Sequence, residues 1–223
     1  MSTWQTLLRM TRAQLGDPDG SRWTNTDLID YFVEAEERAC RMGYLIRAEK
    51  TATLVASTTA YSYPTNSLYI LDMVWGGSTT PMEHRTNGYM NRMYSGWNSG
   101  DTTGGPRIYV TDRVTKKFHV YPTPDSTAVS TSSTLTMVCV MLPSATPTID
   151  EFRDETSTPE IEPEHHFELI DYVKYRAHNQ DSESGGAQKA ANDLAVFNHN
   201  MEMAKREFMK QRNGRTSQFP SVI

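Results

Sequence analysis

The sequence predicts an α+β fold in which a β unit is inserted into a bundle of four helices. One observation behind this is the run 187–212, where Ala187, Ala190, Leu194, Phe197, Met201, Ala204 and Phe208 step by three and four along one seam. At about 1.5 Å per residue that helix spans roughly 39 Å, and with a single apolar stripe it is not stable alone in water. Partners are therefore required, and a second observation supplies them: two further striped segments lie near the N-terminus and one lies just before this run. The third observation is the stretch from about 47 to 142, where Thr, Tyr and Val are frequent and Gly or Pro breaks recur. The predicted domains are 1–46 with 147–212 as one discontinuous helical unit, 47–146 as the β insert, and 213–223 as an extended tail.

The first helix gathers Trp4, Leu7, Leu8, Thr11 and Leu15 on one face, with Ser2 or Thr3 to cap its start and Gly16 to end it. The second opens with Thr24 and Asp27 as a capping box, and Trp23 is placed to staple onto Leu28. Leu28, Phe32, Ala35, Ala39 and Met42 form its stripe and Gly43 its expected close. Strands are predicted at 51–56, 68–75, 107–111, 118–121 and 133–142. In the last of these Leu135, Met137, Cys139 and Met141 alternate with Thr136, Val138 and Val140, and Gly76-Gly77 reads as a hairpin turn.

The segment 82–105 has little periodicity and many glycines, so it reads as an excursion from the β unit. Met82, Met90, Met93, Tyr94 and Trp97 make it apolar enough to be either a contact surface for the tail or a neighbouring subunit, or a flap folded over its own sheet. A Pro- and acid-rich connector covers 144–162, and Pro163 begins a third helix striped by Phe167, Ile170, Val173 and Ala177. Residues 181–186 break it, and Asn213-Gly214 is the expected end of the final helix. The expected helical core is Trp4, Leu8, Trp23, Leu28, Phe32, Phe167, Ile170, Leu194, Phe197 and Phe208.

With 22 Lys plus Arg against 27 Asp plus Glu the net charge is −5, which leaves no cation excess for tight nucleic-acid binding. Cys40 and Cys139 are too few for a disulfide framework or a thiolate metal site and read as buried free thiols. No export signal opens the chain and no apolar run reaches the ~18 residues of a membrane span, so folding in a cytoplasm is expected.

Chemistry has few candidates. In the loop Asp17-Pro18-Asp19-Gly20-Ser21, a calcium site would require Gly and a carboxylate where Arg22 and Leu28 stand. Adjacent His165 and His166, beside Glu164, Glu168 and Asp171, diverge by about 100° on a helix and cannot share one ion. No Gly-x-Ser-x-Gly elbow is present. The sequence predicts no catalytic residue, metal or cofactor, and a function residing in surfaces.

The order of short motifs is informative where each alone is not. A Trp23-Thr24-x-x-x-Leu28 entry, Tyr63-Pro64, Gly105-Pro106-Arg107-Ile108-Tyr109, Phe118-His119-Val120-Tyr121-Pro122-Thr123-Pro124-Asp125, a strand ending at Pro143 and Glu162-Pro163-Glu164 follow one another along the chain. In this order the chain resembles the bacteriophage head-to-tail adaptors, with the tail tubular protein A type of short-tailed phages as nearest kin. The resemblance implies a β-sandwich-like antiparallel insert in the helical bundle, and a homo-oligomeric ring, typically of twelve copies, between the portal protein and the tail nozzle protein. It implies a virion protein assembled in the host bacterial cytoplasm, with DNA passing through the bore without sequence-specific binding. Arg215, Phe219, Val222 and Ile223 of the tail are then candidates for a portal contact. Alternatives left open are another neck component, such as a tail terminator or stopper, a carbohydrate- or surface-binding β module with helical flanks using Trp75, Trp97 and the tyrosines, and a hydrolase using His165 or His166 with Asp171.

Overall fold

The computed structural model describes residues 2–181 and 185–216, with side chains as far as Arg212. The first elements are α1 (Trp4–Leu15), α2 (Asn25–Gly43), β1 (Arg47–Thr53), β2 (Ala60–Ser62), β3 (Ser67–Trp75), β4 (Glu83–Arg85) and α3 (Asn87–Met93). There follow β5 (Ile108–Asp112), β6 (Lys117–Tyr121), α4 (Ser126–Thr131), β7 (Thr134–Met141), a 3-10 turn at Pro163–His165, α5 (Glu168–Gln180) and α6 (Gly186–Thr216). The protein is a mixed α and β chain that divides into two compact units, Met1–Ile46 with Leu142–Ile223, and Arg47–Met141.

In the helical unit, Thr3 caps α1 by accepting the Thr6 N–H, and Gly16 ends it at φ +69°, a left-handed conformation that a Cβ would strain. The following loop winds around one carboxylate. Asp17 accepts the backbone N–H groups of Ser21, Arg22 and Trp23 at 2.9, 3.2 and 3.1 Å and pairs with Arg12 at 3.2 Å. Burial pushes this carboxyl up, but the Trp23, Arg22 and Ser21 donors outweigh it and hold the group below the ordinary carboxylate range. Both oxygens are thus occupied by the chain itself. The capping box of α2 is formed, with Thr24 Oγ1 accepting from Asp27 N and Asp27 Oδ2 accepting from Thr24 N.

Helix α6 packs on α5 and on α2, while α1 packs on α5. Trp4, Leu7, Leu28, Phe32, Leu169, Ile170, Tyr172, Val173, Phe197 and Met201 are buried in their shared core, each large side chain contributing about 1.5–3 kcal/mol of burial free energy. Leu8 and Leu194 pack partly buried against it, Trp23 lies within it, and Phe208 is half-buried. Three aromatics lock its end: Trp4 stacks on Phe152 at 4.8 Å, and Phe32 lies 5.8 and 5.7 Å from Trp4 and Phe152.

Several expectations are corrected here. Phe167 is half exposed, because the segment enters through a 3-10 turn and α5 starts only at Glu168, leaving Phe167 as a cap residue outside the stripe. Gly43 does not close α2. It is the last helical residue, where a Cβ would meet Met201 Sδ at 3.3 Å, and Tyr44 takes the left-handed position at φ +61°. Asn213-Gly214 does not stop the final helix, whose backbone continues to Thr216.

In the other unit, one antiparallel sheet has the order β1-β7-β3 and a second has the order β2-β6-β5-β4, with β4 and β5 parallel. Central β7 buries Leu135, Met137, Cys139 and Met141 on one face as its alternation requires, and Val138 is exposed on the other. The first strand begins at Arg47, earlier than its residue types suggest, because Arg47, Glu49 and Lys50 occupy a sheet edge that tolerates charge. Gly76-Gly77 sit at the centre of a tight turn closed by Ser78 N–H onto Trp75 O. Beyond it Met82 N–H bonds back to Met73 O of β3 at 2.8 Å before the chain enters the other sheet as β4, so the turn does not join two paired strands of one sheet.

Candidate contact surfaces

The excursion 82–105 is built from its own caps and rings. Thr86 caps α3 by accepting the Tyr89 N–H, and that short helix drives Met90 into the interior. Met90 and Trp97 form a cluster with Ile108 of β5 and Val110, against which Tyr89, Tyr94 and Tyr121 pack. Trp97 donates its indole N–H to Asn91 Oδ1 at 2.8 Å, so the ring is both buried and satisfied. Met82 is 6% exposed, Met90 0% and Trp97 6%, so the expected apolar contact surface is corrected: these three side chains complete a core. Met93, 61% exposed, is the one of the five presented to solvent, with Tyr94 half-buried.

Of the two tryptophans offered for a sugar, Trp97 is interior, and Trp75, half-buried, donates to Ser132 O at 2.8 Å with Gly77 and Gly105 lying so close to its ring that a Cβ on either would collide with it.

The histidine cluster separates as helical geometry demands. His165 Nδ1 lies 2.9 Å from Glu168 Oε2, and Glu162, Glu164 and His165 bring ligand-type atoms within 4.8 Å of one another at the surface. His166 points inward, 1% exposed, with Nδ1 2.9 Å from Ser2 O and Nε2 3.1 Å from Ile161 O. Asp171 pairs instead with Lys174 at 3.1 Å. The nucleophile–base geometry that a hydrolase would require of His166 and Asp171 is absent, since both are bound to structural partners.

Ile161 is held from its other side as well. Glu36 of α2, 2% exposed, accepts the backbone N–H groups of Glu160 at 2.7 Å and Ile161 at 3.4 Å. Burial pushes the Glu36 carboxyl up to about 7 despite those donors. Glu160 in turn accepts the N–H groups of Ser144 and Ala145 at 2.9 and 3.2 Å. Two carboxylates and a histidine therefore fix a connector that has no regular secondary structure.

Burial also raises both thiols: Cys40 and Cys139 are fully buried and unbridged. Arg215 falls in the last turns of α6, whereas Phe219, Val222 and Ile223 lie outside the described residues. Among the described residues, no helix is long and apolar enough to cross a membrane.

A family model described as SU10 adaptor protein matches residues 2–219. Comparison with the curated proteins finds no match.

Proposed function

The chain belongs to the SU10 adaptor protein family, a family of structural phage head-to-tail adaptors, and from that premise we propose that it assembles as a ring between portal and tail. In this reading about twelve copies close the ring, as symmetric oligomers of one patch-to-patch contact do. The ring joins the portal vertex to the tail nozzle in the virion neck, after assembly in the host cytoplasm, and lines the channel through which the genome leaves. The frame is a four-helix bundle, 1–46 with 147–212, carrying the 47–146 insert as a sandwich of one antiparallel and one mixed sheet, and the narrower kinship is with the tail tubular protein A type.

The observation that carries the proposal is the family match along 218 of 223 residues, counting from 2 to 219. Physical features agree with it. One core joins α1, α2, α5 and α6 with the connector, which gives a rigid body able to bear load. A net charge of −5 multiplied around a ring repels phosphates, so DNA slides without adhering. The tail 213–223, with Arg215, Phe219, Val222 and Ile223, is the proposed portal contact, and Met93 with Tyr94 a neighbour or nozzle contact.

Mass measurement of the purified protein, alone and mixed with portal rings, tests the reading. A discrete multimer on the portal is expected, and a protein that stays monomeric beside intact portal rings overturns it. Removal of 214–223 is expected to abolish portal binding, and undiminished binding removes the tail from the account.

A further inference from the structure

The hairpin joining β5 to β6 ends in a tip, 113–117, in which every residue is exposed. Its shape is fixed from within. Asp112 accepts the N–H groups of Val114 and Thr115 at 2.9 and 3.4 Å and the Thr115 hydroxyl at 2.7 Å, so the one acid of the hairpin is turned into the loop, and Arg113, Lys116 and Lys117 outnumber its charge. The Arg113 guanidinium rests 4.3 Å from the Tyr69 ring centroid and the Lys116 ammonium 5.7 Å from that of Tyr63. Lys117 follows, and Val114 stands at the summit, 94% exposed. The tip is a preformed basic knob around a bare aliphatic side chain, on a chain whose net charge is negative.

A complementary surface exists elsewhere on the chain. In the connector, Phe152 is buried between Trp4 and Phe32 and so pins the turn 149–155 to the helical core. Thr148 O and Asp150 O accept the N–H groups of Phe152 and Arg153, closing that turn. It displays Asp150, Asp154 and Glu155, all exposed, beside Ile149, which is 41% exposed. Arg153, also exposed, lies 3.8 Å from Asp150, and Asp154 accepts the Thr156 N–H and hydroxyl, so the turn stays acidic on balance. One patch is basic around a valine and the other acidic around an isoleucine.

We infer that the 113–117 tip of one copy docks on the 149–155 turn of the next, Val114 against Ile149 with Arg113, Lys116 and Lys117 facing Asp150, Asp154 and Glu155. The inference rests on the ring reading above and supplies its contact. Two different patches meeting head to tail generate a ring when the rotation closes. A protein surface suits the tip better than DNA, because Val114 gains burial only against another apolar group, whereas phosphates would leave it in water.

The test is charge reversal, read by mass and sedimentation on portal rings. Arg113→Glu with Lys116→Glu and Lys117→Glu is expected to weaken copy–copy association by about tenfold or more, as is Asp150→Lys with Asp154→Lys and Glu155→Lys. An equal mixture of the two reversed chains restores association, since each altered tip then meets an altered turn. Wild-type association weakens with salt, and Val114→Ser weakens it without a change of charge. If wild type and reversed chains assemble alike, the inference fails and the ring stands. If wild type does not assemble, both fail. If wild type retains duplex DNA and the tip reversal releases it, the tip is a nucleic-acid contact and the inference is overturned.

Discussion

The buried carboxylate of Glu36 accepts the backbone N–H of Glu160 at 2.7 Å, tying the middle of α2 to a connector 124 residues further along the chain. Because Glu36 is nearly inaccessible, its charged form is disfavoured and its carboxyl titrates at about 7 against an ordinary 4.5. An acid whose pKa rises on folding stabilises the fold below its unfolded value and loses that contribution as pH rises through its folded value. The shift corresponds to about 3 kcal/mol between pH 4.5 and 7. Urea unfolding of Glu36→Gln is therefore expected to lack the part of the pH dependence that wild type shows in this window. Parallel stability curves for the two proteins would refute the assignment.

Asp17 has the opposite sign. Its lowered pKa means that its stabilisation is present above the ordinary carboxylate range and disappears as acid protonates it. Asp17→Asn is expected to lower the thermal midpoint at pH 7, where three backbone donors and Arg12 lose their anion, and to differ little from wild type in strong acid. Melting curves at the two extremes decide it.

Burial separates residues that the sequence places in one class. Phe197→Ala is expected to cost about 3–5 kcal/mol, since a wholly buried ring is lost from the core. Phe167→Ala and Met93→Ala, at half-exposed and exposed positions, are expected to change stability by no more than about 0.5 kcal/mol. Denaturant midpoints on the three variants check the contrast.

Two glycines of the insert differ in what a methyl group would meet. At Gly105 a Cβ would sit 2.5 Å from the Trp75 ring, so Gly105→Ala is expected to destabilise by about 1–3 kcal/mol and to shift tryptophan fluorescence. At Gly88, inside α3, nothing lies within 4 Å, and Gly88→Ala is expected to be neutral or to stabilise by up to about 1 kcal/mol.

The long periodic elements were legible because each residue repeats the same signal. The α6 seam from Ala190 to Met201 and the Thr24–Asp27 box stand in the structure where their spacing puts them, with Ala187 exposed at the start of the seam, and β7 buries its expected face together with Val140 from the other. The short elements β2, β4, α3 and α4 hold less than two turns or pleats and carry no period to detect, whereas β5 and β6 were marked by their β-branched and aromatic residues. Phe152 is a lone aromatic in an acidic stretch, with nothing in its neighbours to reveal that it stacks on Trp4. Met90 and Trp97 advertised apolarity without direction; Thr86 capping of α3 turns Met90 inward, and the Asn91 acceptor with the Ile108–Val110 cluster holds Trp97 there. The β5–β6 tip was equally hidden, since its shape depends on Asp112 folding back onto Val114 and Thr115.

The helical unit is made of two segments separated by residues 47–141. On a ribosome, α1 and α2 leave the exit tunnel with their apolar stripe bare, and it is covered only once Phe152, then α5, and finally Phe197 and Met201 of α6 have been translated. The contiguous insert can finish folding in the meantime. A nascent chain paused inside the insert thus exposes the face most open to chaperone capture.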